Sequence, residues 1–149
     1  MTETTAAAIR ASDDYAARLA EFSAEYAEIT RLRAALDARE ARLLARSAAY
    51  ADAFADTVVP ASFPPAERRA LSRRSTCAAL AMATHTPEPT VQRATNNAEA
   101  LVNDAPAVLE SLEAGRISAR HAKTITDQLC DIPGEGRAAF LAKVLPVAE

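Results

Sequence analysis

Four arginines that lie close together in the sequence are the residues whose binding chemistry is the most evident in the chain. They are Arg68, Arg69, Arg73 and Arg74. A helix carries residues at this spacing on one broad face, which makes them the only basic patch in a sequence of net charge −3. Guanidinium groups bind phosphate through paired hydrogen bonds, so the patch indicates contacts with the phosphates of DNA. The overall charge gives no support to nucleic-acid binding, and the hypothesis depends on this patch alone.

A second set of polar side chains, of the types that read base edges, follows a proline-marked turn at 85–87. They are Gln92, Arg93, Asn96 and Asn97. The helices on either side of the turn have the lengths of a helix-turn-helix motif, whose second helix reads DNA. However, this second helix also carries Glu88 and Glu99, and the turn has no glycine. We favour the alternative, a helical hairpin with polar residues in water. The arginines could equally pair with Glu67 and with acids of the long N-terminal helix.

No residue pattern indicates catalysis, a metal site or a cofactor. His121 lies three residues after Ser118, where it could hydrogen-bond the start of a helix, and is predicted to be structural, while His85 lies at a turn. Ser75, Ser118 and Cys77 lack a neighbouring base and the glycine-rich turn that usually presents a nucleophile. Paired carboxylates and phosphate-binding loops do not occur. We therefore predict a chain that is not an enzyme, with no catalytic residue, no metal ligand and no cofactor.

The composition predicts an all-α protein. Ala, Leu, Glu and Arg dominate, and three glycines in 149 residues are too few for a hairpin-rich β fold. Cys77 and Cys130 form no metal-binding pair and are predicted to be reduced core thiols. The sequence begins with no secretory signal pattern and contains no apolar run of about 18 residues. We therefore predict a cytoplasmic protein without a membrane partner.

The positions of proline and glycine divide the chain into a long amphipathic helix and a bundle of short helices that contains the helix-turn-helix-like hairpin. The predicted units are a disordered N-terminus 1–11, a helix 12–56 capped by Ser12, a linker 57–64 and a helical domain 65–149. Within that domain we predict helix starts at Pro65 and Pro106, helix caps at Thr86, Asp104 and Ser118, and a helix end at Gly115. The side chains of the second helix that are predicted to face the core are Leu71, Cys77, Leu80 and Met82. The last helix carries Phe140, Leu141, Val144 and Leu145, an apolar face that has no evident partner in the sequence. We therefore expect the helical domain to be incomplete at its C-terminus.

The long helix carries its large apolar residues at alternating spacings of three and four, as in a coiled coil. They are Tyr15, Leu19, Phe22, Tyr26, Ile29, Leu36, Leu43, Tyr50 and Phe54. Arg33, Glu40 and Ser47 occupy the remaining positions of the row. We favour an amphipathic helix that packs on the rest of its own chain through this row. The alternative is a coiled coil with a second copy, a homodimer through residues 15–54.

Several segments of the C-terminal part resemble the actinobacterial domain of unknown function 222, over roughly residues 55–149. The similar segments are 66–75, 86–93, 98–102, 112–122 and 140–146. The most specific is the Gly-Arg-Ile-Ser string that begins at Gly115 and ends in His121-Ala122. That domain commonly precedes an HNH endonuclease module. The resemblance implies a non-catalytic helical accessory region of an HNH-endonuclease-family protein, which would position the protein on DNA or mediate its assembly.

The nuclease module itself is not recognisable in this chain. An HNH module requires a ββα-metal core with a general-base histidine and a metal-binding histidine. The sequence has only His85 and His121, and no strand pair follows either of them. The alternative to an accessory region is a self-associating structural protein of the coiled-coil type that has no nucleic-acid role.

Overall fold

The computed structural model describes the backbone of residues 2–148 and the side chains of residues 13–129 and 131–148. Within these limits the chain forms six α-helices and no strand, which confirms the predicted all-α class. The helices are α1 Thr2–Val58, α2 Pro65–Thr84, α3 Glu88–Asp104, α4 Pro106–Glu113, α5 Ala119–Cys130 and α6 Gly134–Ala148.

Helix α1 is the longest element and contacts α2, α3, α4 and α5. Its 57 residues include neither proline nor glycine, so nothing interrupts the hydrogen-bond ladder, and the helix spans about 85 Å. The predicted start at Ser12 is corrected to Thr2, so that most of the segment 1–11 is helical and Ser12 is not an N-cap. Met1 lies outside the described residues. Alanine-rich sequence before Ser12 favours this extension.

Prolines mark the starts of α2, α3 and α4, each of which has proline at its first or second position. The predicted starts of α2 and α4, at Pro65 and Pro106, are confirmed. The predicted caps Thr86 and Asp104 are wrong, because α3 and α4 begin after Pro87 and Ala105 without a side-chain cap. Proline has no N–H group at the start of a helix, so fewer donors there need a cap.

The turn between α4 and α5 follows the sequence prediction closely. Gly115 has a positive φ of 71°, the left-handed conformation that ends many helices. Ser118 caps α5, since its hydroxyl accepts a hydrogen bond from the His121 backbone N–H at 3.3 Å. A Cβ atom at Gly115 would stand 3.2 Å from the Cα of Arg31, so the absence of a side chain lets this turn contact α1.

The core lies between one face of α1 and the short helices. We call this face the alanine face, because seven of its eight buried residues are alanine and the eighth is Leu44. The alanines are Ala34, Ala38, Ala41, Ala45, Ala48, Ala51 and Ala55. Larger side chains of α3, α4 and α5 fill the other side of the core. They are Leu101, Val108, Leu109, Leu112, Ile125 and Leu129. Small residues on α1 let these helices approach its backbone closely.

Two predicted features of the core are corrected. Leu71 and Met82 were expected to face the core, but both are exposed, because α2 turns Ser72, Cys77 and Ala81 inward instead. The apolar face of α6 was expected to lack a partner. Its four side chains, Phe140, Leu141, Val144 and Leu145, are half-buried and pack against the core that α1, α3, α4 and α5 form.

Candidate functional site

Arg73, in the middle of the predicted basic patch, is bound within the chain by two acids. Its guanidinium donates two hydrogen bonds to Asp52 of α1, at 2.7 and 2.6 Å, and two to Glu99 of α3, both at 2.9 Å. All three side chains are partly buried. The hydrogen bonds from Arg73 lower the pKa of Asp52 from its ordinary value, and partial burial opposes that shift. This ion triad joins α1, α2 and α3.

Two further arginines of the patch also pair with acids. Arg68 lies 2.9 Å from a carboxylate oxygen of Asp56, and Arg74 lies 3.4 Å from one of Glu88. The alternative that these arginines pair with acids of the long helix is therefore correct for Arg68 and Arg73. Arg69 is exposed, and no side chain in the described ranges forms an ion pair with it. Most of the positive charge of the patch is thus neutralised by neighbouring carboxylates.

The predicted base-reading side chains lie on α3 and mostly face solvent. Gln92 is half-buried and donates a hydrogen bond to Asn96 at 2.9 Å. Arg93 is exposed and donates to the Thr90 hydroxyl at 3.5 Å. Asn97 lines a groove between α1, α3 and α5. Both hydrogen bonds join residues of α3, as expected for the exposed face of a helical hairpin.

That groove has a volume of about 300 Å³. Its floor is apolar, and its rim carries charged side chains of both signs. The floor includes Ala41, Leu44, Ala98, Leu101, Leu112 and Ala122, and the rim Asp37, Glu40, Lys123 and Asp127. Among the described residues, no three His, Cys, Asp or Glu side chains are grouped closely enough to hold a metal ion. No helix in residues 2–148 carries an apolar stretch that could cross a membrane.

The nine large apolar residues of the row from Tyr15 to Phe54 are exposed, although we expected them to pack on the chain. We call them, with Arg33, Glu40 and Ser47, the seam. The nine large members are between 39% and 71% exposed, whereas the alanine face beside them is at most 9% exposed. The interpretation that the seam packs on the rest of its own chain is therefore wrong. The helix packs on the chain through its alanines and presents its largest side chains to solvent.

The seam continues beyond the part of α1 that carries the other helices. Every residue in 13–33 is exposed, so this half of the helix lies outside the core. Among the side chains of α1 that the structure describes, the first buried one is Ala34, next to the point where Gly115 contacts Arg31. At the other end of the seam, the rings of Tyr50 and Phe54 stack with their centroids 4.4 Å apart. The seam thus joins a bare half of α1 to a packed half.

The chain matches no protein-family model, no curated protein and no solved structure. The resemblance to the domain of unknown function 222 stays a prediction.

The geometry of the described residues makes the seam the strongest candidate functional site. A regular row of exposed aromatic and aliphatic side chains on a helix is the arrangement through which helices pair in a coiled coil. The sequence pattern located this row correctly. It could not show that alanines, and not the row, hold the helix against its own chain.

Proposed function

We propose that this chain is a self-associating helical module in which two copies pair through the seam. The observation that carries the proposal is the solvent exposure of nine large apolar side chains at alternating spacings of three and four. Soluble monomers rarely expose a contiguous apolar patch of more than a few hundred Å². A second copy is the natural partner, because it offers the same row of side chains with the same spacing.

The area of the seam suits a stable dimer. Each large seam side chain exposes roughly 100 Å², given its size and exposed fraction. The row therefore offers about 900 Å² per copy, compared with about 800 Å² per partner in a standard protein interface. Pairing of two seams would bury an area of this order from Tyr15 to Phe54.

The bare half of α1 also favours a partner. Residues 13–33 are all exposed, so apart from the contact of Arg31 with Gly115 they are supported mainly by helical hydrogen bonds and by local pairs such as Arg18–Glu21 and Glu28–Arg31. Helices that lack packing are marginal in water, because most helical stability comes from the burial of an apolar face. Pairing supplies that burial to the half of α1 that has none.

Sedimentation of the wild-type chain and of Leu43→Glu tests the proposal. The wild type should be a dimer at tens of micromolar, roughly the range in which weak helix pairing is visible. Leu43 lies within the seam and occurs twice in the dimer. Its replacement should weaken association by at least about 100-fold, because the dimer loses two buried leucines that contribute about 1.5–3 kcal/mol each.

Met82→Glu is the matched control. It also replaces an exposed apolar side chain by a carboxylate, but Met82 lies on α2, away from the seam. Association of this variant should equal that of the wild type. A wild-type chain that sediments as a monomer at tens of micromolar would overturn the proposal. So would a dimer that Leu43→Glu does not weaken.

DNA binding by an accessory region of an HNH-endonuclease-family protein is the second candidate, and it rests on the sequence. The pairing of Arg68, Arg73 and Arg74 with carboxylates weighs against it, because these arginines would have to leave their partners to bind phosphate. A salt titration of DNA binding tests it. Replacement of the four patch arginines by alanine should weaken binding and reduce its dependence on salt. Binding that these replacements leave unchanged would remove the patch from the hypothesis.

A further inference from the structure

We infer that the two copies pair antiparallel, in the register that sets Tyr15 against Phe54 of the partner. This inference rests on the proposed function, and it specifies how the second copy lies on the seam. It follows from the spacing of the seam, from the distribution of its three polar members and from charges on its flanks.

The spacing of the seam is the same in both directions. From Tyr15 to Phe54 the steps are 4, 3, 4, 3 and so on, ending with 4. A copy that runs in the opposite direction therefore presents a side chain opposite every seam position. In this register the numbers of any two opposed residues add up to the same total as the numbers of Tyr15 and Phe54. The whole seam is paired, with its centre between Arg33 and Leu36.

The antiparallel register places each polar seam residue opposite a large apolar one. Arg33 faces the partner's Leu36, Glu40 faces the partner's Ile29, and Ser47 faces the partner's Phe22. Long charged side chains can extend from such positions to the edge of the pair, while their methylene groups cover apolar surface. No polar residue of the seam is opposite another.

A parallel pair in register opposes each residue to its own copy. Arg33 would then face the partner's Arg33, and Glu40 would face the partner's Glu40. Both are like-charge contacts within a desolvated seam, where such repulsion is costly. Ser47 would also face its own copy, which leaves three layers of the seam without an apolar side chain. The polar residues of the seam therefore disfavour the parallel arrangement.

Opposite charges meet across the antiparallel pair. Arg33 and the partner's Glu40 lie in adjacent layers of the seam. On its flank, Glu25 lies beside the partner's Arg46, since each immediately precedes a seam residue and both fall between the same two layers. By symmetry each pair occurs twice. All four side chains are exposed, and within the described ranges none of them has an ion pair of its own.

The short helices of one copy do not clash with α1 of the other copy in this arrangement. The short helices of each copy cover the alanine face from Ala34 to Ala55, and the antiparallel register sets that stretch beside the bare half of the partner's α1. In the bare half the line of the alanine face continues with small residues. They are Ala16, Ala20, Ser23, Ala27 and Thr30. These residues leave room for the helices of the partner.

A distance measurement on the full chain tests the orientation. A spin label is placed at Arg18→Cys, in a background where Cys77 and Cys130 are alanine, and sedimentation is measured on the same sample. The antiparallel register separates the two labels by about 50 Å along the pair. A parallel pair brings them within about 20 Å. A dimer with the short distance overturns the orientation and leaves the proposed pairing intact, whereas a monomer overturns both.

Charge variants provide the second test. In the antiparallel pair Arg33→Glu creates a repulsion with the partner's Glu40 and should weaken association about 10-fold. Arg33→Glu combined with Glu40→Arg should restore it. Lys143→Glu, which makes the same change of charge on an exposed residue of α6, should have no effect. Association that Arg33→Glu leaves unchanged, or that the double variant fails to restore, overturns the inference.

Discussion

Two faces of α1 differ in a way that reverses the usual relation between side-chain size and burial. The alanine face carries the smallest apolar residues and is buried. The seam carries the largest and is exposed. Alanine contributes little area to a core, but it allows helices to approach closely and make many contacts. The comparison shows that the strongest apolar pattern of a helix need not be the one that holds the helix in its own fold.

Because the alanine face is buried and the seam is exposed, we predict that substitutions on the two faces have separable effects. Changes on the alanine face should alter the free energy of unfolding of the monomer, whereas changes on the seam should alter association alone.

The largest effect on folding is expected for Ala38→Leu. Ala38 has no exposed surface, and the added carbon atoms would force the facing helices apart, which costs about 3 kcal/mol. The matched variant Leu36→Ala lies two residues away on the seam. It should change the unfolding free energy by less than about 0.5 kcal/mol when measured below the dimer concentration. Denaturant unfolding of both variants checks this, and equal destabilisation would contradict the separation of the two faces.

The next effect is expected at the ion triad that ties α2 and α3 to the packed half of α1. Arg73→Met leaves Asp52 and Glu99 close together without their shared cation and should cost about 2 kcal/mol. The neighbouring Arg69→Met changes an exposed arginine without an ion pair and should be nearly neutral. Thermal unfolding of the two variants measures the difference. A loss of stability in Arg69→Met as large as that in Arg73→Met would show that the ion triad does not hold α2 and α3 against α1.

A smaller effect is expected at the boundary between the packed and bare halves. Gly115→Ala should cost about 1–2 kcal/mol, because an alanine at positive φ is strained and its Cβ would crowd Arg31. In the control Gly134→Ala the added Cβ meets no atom within 4 Å, so this variant should be neutral or slightly more stable. Chemical denaturation compares the unfolding free energies of the two variants. If Gly115→Ala leaves this free energy unchanged, the boundary between the packed and bare halves of α1 lies elsewhere.

The smallest effect is a loss of stability in acid. Because Arg73 lowers the pKa of Asp52 in the folded chain, their pairing stabilises the fold above the ordinary pKa of about 4, and this contribution is lost as pH falls through the lower folded pKa. Both groups are partly exposed, so solvent screening should keep the loss below about 1 kcal/mol. Unfolding measured from pH 6 to pH 2 should show a smaller acid-dependent loss in Arg73→Met than in the wild type.

Much of the fold could be predicted because its determinants are local. The prolines that begin α2 and α4, Gly115 and Ser118 fix helix ends through their own local chemistry, and the structure confirms all of them. The choice of buried face on α1 could not be predicted in the same way. Alanine is so frequent along this helix that one row of alanines does not differ visibly from another. Only the facing helices determine which row is buried.

The arginine patch shows that contacts between distant residues of a candidate site could not be predicted from the sequence either. The sequence located the four arginines, but the acids that bind Arg73 lie 21 and 26 positions away. Only the packing of α1, α2 and α3 brings them together. Arginines that form a basic patch in the sequence can therefore be neutralised by acids that the fold brings beside them.

The central position of α1 has a consequence for the order of events during synthesis. Arg42 of α1 is held by Glu113 of α4, with one hydrogen bond at 2.7 Å, across 71 positions of the chain. Such closures raise the contact order, so that the alanine face cannot be covered until much of the chain has left the ribosome. The seam, in contrast, is complete as soon as Phe54 emerges. Two nascent chains on one message could therefore meet through α1 before either has folded its core.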